Sequence, residues 1–119
     1  MRRLVLAAAL AALLTGCGGP STVQGSIADL MQPATDGCGG TEQIALTTAS
    51  GIILAEQQVA FTESEGWCAL PFSFSNVPSL PDYGIRVVGL DTGTVWLTPA
   101  EAEQFVNLWI GRGFTLSRS

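Results

Sequence analysis

The sequence predicts a mainly β protein: an antiparallel β-sandwich of six to seven short strands with one short helix near the C-terminus. Three observations support this prediction. Apolar and polar residues alternate through most of residues 22–119, which is the period of a half-buried strand. Turn residues interrupt the alternation about every 8–12 residues, as they do in β-sandwiches. Clear signals for a helix start occur in one place, near residue 98.

The first half of this region predicts three strands. Residues 22–30, "TVQGSIADL", alternate well enough for a first strand, and a turn cluster follows at residues 33–40. Residues 41–49, "TEQIALTTA", form the second prediction. A tight turn at Ser50-Gly51 leads into the third, "IILAEQQVAFTE", over residues 52–63.

The segment "WCALPFSFSNV" at residues 67–77 predicts a strand with one strongly apolar face. At period two this face carries Cys68, Leu70, Phe72 and Phe74. The cysteine therefore faces the apolar side, as an inward-facing disulfide requires. Pro71 interrupts the run and indicates an edge position or a bulge, because proline has no backbone N–H to donate.

A hairpin and the helix follow. The β-rich runs at residues 83–88 and 94–98 flank "LDTG", which is typical of a hairpin turn. Thr98 then offers a side-chain cap, Pro99 suits the first helical position, and Glu101 completes a capping box. We expect this helix to end near Phe105.

The C-terminal stretch "NLWIGRGFTLS" allows two interpretations. A last strand would place on one face Leu108, Ile110, Phe114 and Leu116. A longer helix would extend to Ile110 on the i, i+3, i+4, i+7 spacing of Ala102, Phe105, Val106 and Trp109. We predict the strand, and the state of residues 106–110 stays open on sequence alone.

Residues 1–16 predict an export signal. Arg2 and Arg3 precede Leu4–Leu14, an uninterrupted apolar run that is shorter than the roughly 20 residues of a membrane-spanning helix. Such a run fits the apolar region of a signal peptide, which is about 7–15 residues long. A buried core helix is the alternative interpretation.

The run ends in Leu14-Thr15-Gly16-Cys17, which resembles the lipobox of bacterial lipoproteins. The resemblance implies that the Cys17 sulfur receives a diacylglyceryl group, that the chain is cut before Cys17, and that the new N-terminus is often acylated, for example with palmitate. It divides the chain into a signal peptide (1–16), a lipidated tether (17–21) and a β-sandwich domain (22–119). The expected location is the extracytoplasmic side of the cell membrane or envelope.

Two strands resemble those of prealbumin-like and immunoglobulin-like modules of exported bacterial proteins. The early "VQGSI" at residues 23–27 and the late "PDYGIRV" at residues 81–87 carry the resemblance. It implies a sandwich of the immunoglobulin-like or prealbumin-like type.

The odd number of cysteines predicts one modified thiol and one disulfide. With lipid on Cys17, Cys38 and Cys68 remain as a pair for a bond in an oxidising compartment. Closing a loop of about 30 residues stabilises a fold by roughly 3–4 kcal/mol in the chain-entropy model. A redox or nucleophilic cysteine is the alternative, but the sequence has neither a CxxC spacing nor a basic residue nearby to activate the thiol.

Charge and missing residue types exclude several functions. The formal net charge is −5, and removal of Arg2 and Arg3 makes it more negative, which disfavours nucleic-acid binding. The chain has no histidine and no lysine, so Ser-His-Asp, Cys-His, Ser-Lys and Schiff-base catalysis are absent. We expect a non-catalytic structural or binding module without cofactor or metal, held at the membrane by Cys17, with an unknown protein or carbohydrate as its partner.

Acidic motifs offer an enzymatic alternative. Asp91 in "LDTG" is similar to the catalytic turn of aspartic proteases, but too few residues follow it for that fold, so a hairpin turn is favoured. Glu63 and Glu65 would share a face in an extended segment and could serve a carboxylate-dependent hydrolase. A solvated loop before Gly66 is favoured.

Other candidate residues are weaker. A calcium site would need dense acidic ligands, whereas the candidates are scattered at Asp29, Asp36 and Asp82. Three tryptophans could form a platform for sugars or a partner, although we expect them to fill the core: Trp67, Trp96 and Trp109.

Overall fold

The computed structural model describes residues 21–89, 93–112 and 115–118, which form two β-sheets around a shared apolar core. The mainly β prediction is confirmed, and the two-sheet arrangement is compatible with a β-sandwich. In this described part of the chain, no helix is long and apolar enough to cross a bilayer.

The described residues contain nine strands and one α-helix. The five-stranded sheet has the order β4-β5-β1-β8-β9 and consists of β1 (Val23–Pro33), β4 (Thr62–Ser64), β5 (Trp67–Phe74), β8 (Val106–Ile110) and β9 (Leu116–Arg118). The four-stranded sheet has the order β3-β2-β6-β7 and consists of β2 (Thr41–Thr47), β3 (Ile53–Ala60), β6 (Tyr83–Val87) and β7 (Thr94–Leu97). The helix α1 spans Pro99–Ala102, and a short 3-10 turn spans Ala34–Asp36.

The described chain therefore has more strands than the six or seven predicted. The predicted strand at residues 52–63 divides at Phe61 into β3 and β4, which belong to different sheets. The predicted last strand divides into the hairpin β8–β9. Hydrophobic alternation continues through both breaks, so it does not reveal where the chain leaves one sheet for another.

The antiparallel prediction is confirmed for six of the seven strand pairs among the described residues, and the exception is a parallel pair. β1 pairs in parallel with β8, from Gly25 opposite Val106 to Asp29 opposite Ile110. Between β1 and β8 the chain passes through all strands of the four-stranded sheet and through α1. It then forms β8 beside β1, and both strands run in the same direction. Alternation of apolar and polar residues indicates which side chains are buried, but it contains no information about the direction of the strand.

The open question at residues 106–110 is decided in favour of the strand. Val106, Leu108 and Ile110 are buried at period two, whereas Asn107 is exposed. The helix is shorter than predicted and ends at Ala102, but its capping box is present. Thr98 N–H donates to Glu101 Oε1 at 2.9 Å, and Glu101 N–H donates to Thr98 Oγ1 at 3.2 Å.

β5 has the predicted apolar face. It contributes to the core the fully or almost fully buried side chains of Cys68, Leu70, Phe72 and Phe74. Pro71 lies beyond the pairing of β4, which covers residues 67–69 of β5. At Pro71, the side of β5 that is turned away from β1 therefore has no paired strand among the described residues. The prediction of an edge position is confirmed for this side.

Candidate functional site

Cys38 and Cys68 form a disulfide, with the two sulfur atoms 2.02 Å apart and the two Cα atoms 5.5 Å apart. The predicted pairing is confirmed. The bond joins the segment that leads into β2 to the buried face of β5, so it connects the two sheets near one end. Cys17 and Asp91, the proposed lipidation site and the centre of the "LDTG" turn, lie outside the described residues.

The expectation that the tryptophans fill the core is wrong. Trp67 is 36% exposed and Trp96 is 44% exposed, while Trp109 is half-buried. Trp67 precedes Cys68 on β5, and Trp109 lies between Leu108 and Ile110, so strand alternation turns both indole rings to the outer face of the five-stranded sheet. The alternation of apolar and polar residues in the sequence could therefore have predicted that these two indole rings face outward.

A groove of about 480 Å³ crosses this outer face, and we name it the Trp67 groove. The floor of the groove is formed by three short side chains on the middle strands: Ser26 and Ala28 of β1 and Ala69 of β5. Because these side chains are short, they leave a depression in the face of the sheet. Trp67 borders it on one side, and Phe105, which is 57% exposed, on the other. The remaining lining residues are Thr62, Glu63, Ser64, Glu65, Pro71, Asn107 and Leu108.

The Trp67 groove combines an aromatic ring with polar side chains and lacks a cationic lining residue among the described ones. Hydroxyls of Ser26, Thr62 and Ser64 border it, together with two carboxylates. An indole ring presents an apolar, polarisable face, and the hydroxyls both donate and accept hydrogen bonds. The groove therefore suits an uncharged polar ligand that has an apolar face of its own.

Glu63 and Glu65 do not share a strand face as an extended segment would require. Glu65 (φ 55°) and Gly66 (φ 89°) form the two-residue loop of the β4–β5 hairpin, where both positive φ values suit a primed turn. Glu63 Oε2 accepts a hydrogen bond from Gly66 N–H at 3.1 Å. Both residues are exposed, in agreement with the favoured interpretation of a solvated turn.

The opposite sheet positions its tryptophan differently. Trp96 of β7 lies against Gly84 of β6, where a Cβ would come within 2.7 Å of the Trp96 ring carbon Cζ3. Thr47 also contacts this position, and its hydroxyl is buried without a hydrogen-bond partner among the described residues. Only glycine leaves room for both side chains, so this cluster is a packing arrangement that the sequence pattern did not reveal.

An ion pair lies beside the Phe105 border of the groove. Arg118 Nη1 is 2.8 Å from Glu101 Oε1 and donates to the Trp96 carbonyl at 3.2 Å. Hydrogen bonds from the Thr98 backbone and from Arg118 lower the pKa of Glu101. These groups line a smaller depression of about 210 Å³.

Metal chemistry has no ready ligand set in residues 21–89, 93–112 and 115–118. No three side chains among histidine, cysteine, aspartate and glutamate come together there to hold an ion. Asp29, one of the scattered acidic residues, is largely buried and accepts a hydrogen bond from Met31 N–H at 2.9 Å. This bond lies where the register of β1 against β5 shifts, between Asp29 and Pro33.

No protein-family model, curated protein or solved structure matches the chain. The fold and the site together define the class as an acidic, disulfide-linked, two-sheet β protein with a tryptophan-bordered groove on one sheet.

Proposed function

We propose that the protein is an exported bacterial lipoprotein, held at the membrane by a diacylglyceryl group on Cys17, whose sandwich of immunoglobulin-like or prealbumin-like type is a non-catalytic binding module. The observation that carries this proposal is the disulfide between Cys38 and Cys68. Disulfides persist in oxidising, extracytoplasmic compartments. The bond uses the two cysteines that remain when Cys17 carries lipid.

The Trp67 groove is the proposed binding face, and a carbohydrate is the ligand class that its chemistry suits best. A sugar ring has an apolar C–H face that stacks on an indole and hydroxyls that pair with hydroxyls and carboxylates. Ser64 lies opposite the exposed Trp67 in the β4–β5 pair, and Ser26 and Thr62 line the same groove. A protein partner is the alternative occupant.

Replacing the lipidated sulfur tests the anchor. In the Cys17→Ala variant we expect the loss of palmitate labelling and release from the membrane fraction, because no thioether to diacylglyceryl can form. Metabolic labelling and fractionation of cells measure both. Gly18→Ala is the matched control, since it leaves the cysteine in place and should label like the wild type. Persistent labelling of Cys17→Ala would show that the anchor assignment is wrong.

Removing the indole ring tests the groove. Binding of the lipidated protein to a panel of envelope polysaccharides should weaken about tenfold in Trp67→Ala, equivalent to about 1.4 kcal/mol. Trp96→Ala removes a similarly exposed indole from the opposite sheet and should bind like the wild type, provided that its melting curve shows an intact fold. Equal binding of Trp67→Ala and wild type would remove the groove from the proposal.

The second candidate, a carboxylate-dependent hydrolase, is favoured by the presence of both Glu63 and Glu65 beside the same groove. The same polysaccharide panel distinguishes the two functions. A binding module retains each polysaccharide intact, and Glu63→Gln and Glu65→Gln do not change what is released. An enzyme releases shortened products that disappear in one or both variants.

A further inference from the structure

The turn between β2 and β3 exposes three consecutive aliphatic side chains. Ile52 is 63% exposed, Ile53 is 45% exposed and Leu54 is 38% exposed. The alternation of β3 does not bury them, because the pairing shifts near Thr47 and Ile53, the last pair of the hairpin. We name residues 48–54 the hairpin tip. Consecutive apolar residues at the end of a hairpin are unfavourable in water, which raises the question of what covers them.

Several backbone polar groups of the hairpin tip are hydrogen-bonded within the tip. Thr48 N–H donates to the Ile52 carbonyl at 2.9 Å, and Gly51 N–H donates to the Thr48 carbonyl at 2.9 Å. The Thr48 hydroxyl accepts from Ile52 N–H at 3.1 Å and pairs with the Ser50 hydroxyl at 3.0 Å. These internal bonds lower the cost of moving the tip out of water, because the groups that form them keep their partners.

The hairpin tip lies at the end of the molecule where the described chain begins. Ser73 pairs with Gln24 of β1, and its N–H donates to Gln57 Oε1 of β3 at 3.0 Å, so these three residues are at one level. At about 3.3 Å per residue, Ile53 lies about 13 Å below this level along β3. Ser21 lies about 10 Å below it along β1.

The charge distribution suits contact between this tip and a lipid surface. Residues 43–55 contain no charged side chain. The helix α1, with Glu101, follows β7 at the opposite edge of the four-stranded sheet from β3. It lies at the same end of the sheet as the tip, because Thr47 pairs with Gly84 and Gly84 pairs with Trp96. Glu63 and Glu65 belong to the hairpin at the other end of the molecule. The tip itself is therefore an uncharged segment of an acidic protein, and Arg118 pairs with Glu101, the carboxylate of α1 at this end.

We propose that the hairpin tip inserts Ile52, Ile53 and Leu54 into the boundary between headgroups and acyl chains of the membrane that holds Cys17. This inference rests on the lipid anchor of the proposed function. Ser21 is four residues after Cys17, and at no more than about 3.6 Å per residue the two are at most about 14 Å apart. A tether this short keeps the Ser21 end of the domain, and with it the hairpin tip, within reach of the lipid surface.

Photo-crosslinking from the hairpin tip tests the proposal. The full-length protein is lipidated in cells, verified by mass and reconstituted into vesicles of phosphatidylethanolamine and phosphatidylglycerol. The variant Ile52→p-benzoylphenylalanine should form lipid adducts in at least fivefold higher yield than Ser64→p-benzoylphenylalanine, an exposed site in the opposite hairpin. Equal yields, or adducts from residue 52 to a second copy of the protein, would overturn the proposal.

A second pair of variants separates membrane insertion from general exposure. With the crosslinker at residue 53, the added changes Ile52→Ser and Leu54→Ser should lower the lipid-adduct yield severalfold. Leu30→Ser and Met31→Ser, at another exposed aliphatic pair (39% and 50% exposed), should not lower it. An equal effect of both pairs would overturn the proposal.

The anchor is measured on the same samples. A lipidated protein that gives no adducts at residue 52 contradicts insertion of the hairpin tip and leaves the proposed function intact. A protein without lipid on Cys17 contradicts both, because the anchor is then missing. Melting curves of every variant confirm that the fold is retained before the yields are compared.

Discussion

Gly25 occupies the closest approach between the parallel strands β1 and β8. A Cβ at this position would overlap the Val106 carbonyl oxygen and come within 2.8 Å of the Val106 carbonyl carbon. Backbone atoms of a paired strand cannot move aside as the end of a long side chain can. This glycine is therefore needed for space, and nothing in its "VQGSI" context indicates that need.

For Gly25→Ala we expect a loss of about 3 kcal/mol in the free energy of unfolding, the upper part of the usual range for overpacking. Gly39→Ala is the matched control. A Cβ at Gly39 would have no atom within 4 Å, so its effect should stay within about 0.5 kcal/mol. Urea unfolding measures both variants. Similar midpoints for the two would contradict the close approach of β8 to β1.

At the scale of elements, Glu101 and Arg118 connect three of them. Glu101 belongs to α1, Arg118 ends β9, and Arg118 also donates to the Trp96 carbonyl of β7. The ion pair thus links the edge strand of one sheet to the edge strand of the other. Because both side chains are substantially exposed (49% for Arg118 and 41% for Glu101), salt should weaken the link.

The lowered pKa of Glu101 gives this link a pH dependence. The folded state favours the carboxylate, so the stabilisation is complete above the ordinary glutamate pKa and disappears as the pH falls through the lowered value. We expect Glu101→Gln to be less stable than wild type at pH 7 and equal to it in strong acid. Glu103→Gln, directly after the same helix, is the control. Urea midpoints measured across this pH range should converge for Glu101→Gln, and a constant difference would contradict the assignment.

At the scale of the whole molecule, the proposed anchor and hairpin tip orient the domain. Both place the Ser21 end at the membrane, because the strand register puts the β2–β3 turn at that end. The β4–β5 hairpin and Trp67 then point away from the lipid. The Trp67 border of the groove would be accessible to a ligand in the surrounding compartment, which agrees with a binding role.

Part of the candidate site could be predicted from residue types. The cysteine count led to the pair Cys38 and Cys68, and the structure confirms it. The outward orientation of Trp67 and Trp109 could also be predicted from the sequence, since each tryptophan lies next to buried residues on its strand. The Trp67 groove could not be predicted, because its lining comes from four strands and the segment before β8, which are distant in the chain.

The sequence by itself determined the mainly β class, the apolar face of β5, the disulfide and the capping box of α1. These features depend on neighbouring residues, on alternation, or on a simple pairing of thiols. Only the tertiary structure decided the division at Phe61, the strand at residues 106–110 and the parallel pairing of β1 with β8. The physical reason is that sheet membership and strand direction follow from which distant faces bury each other, and local periodicity contains no information about that partner.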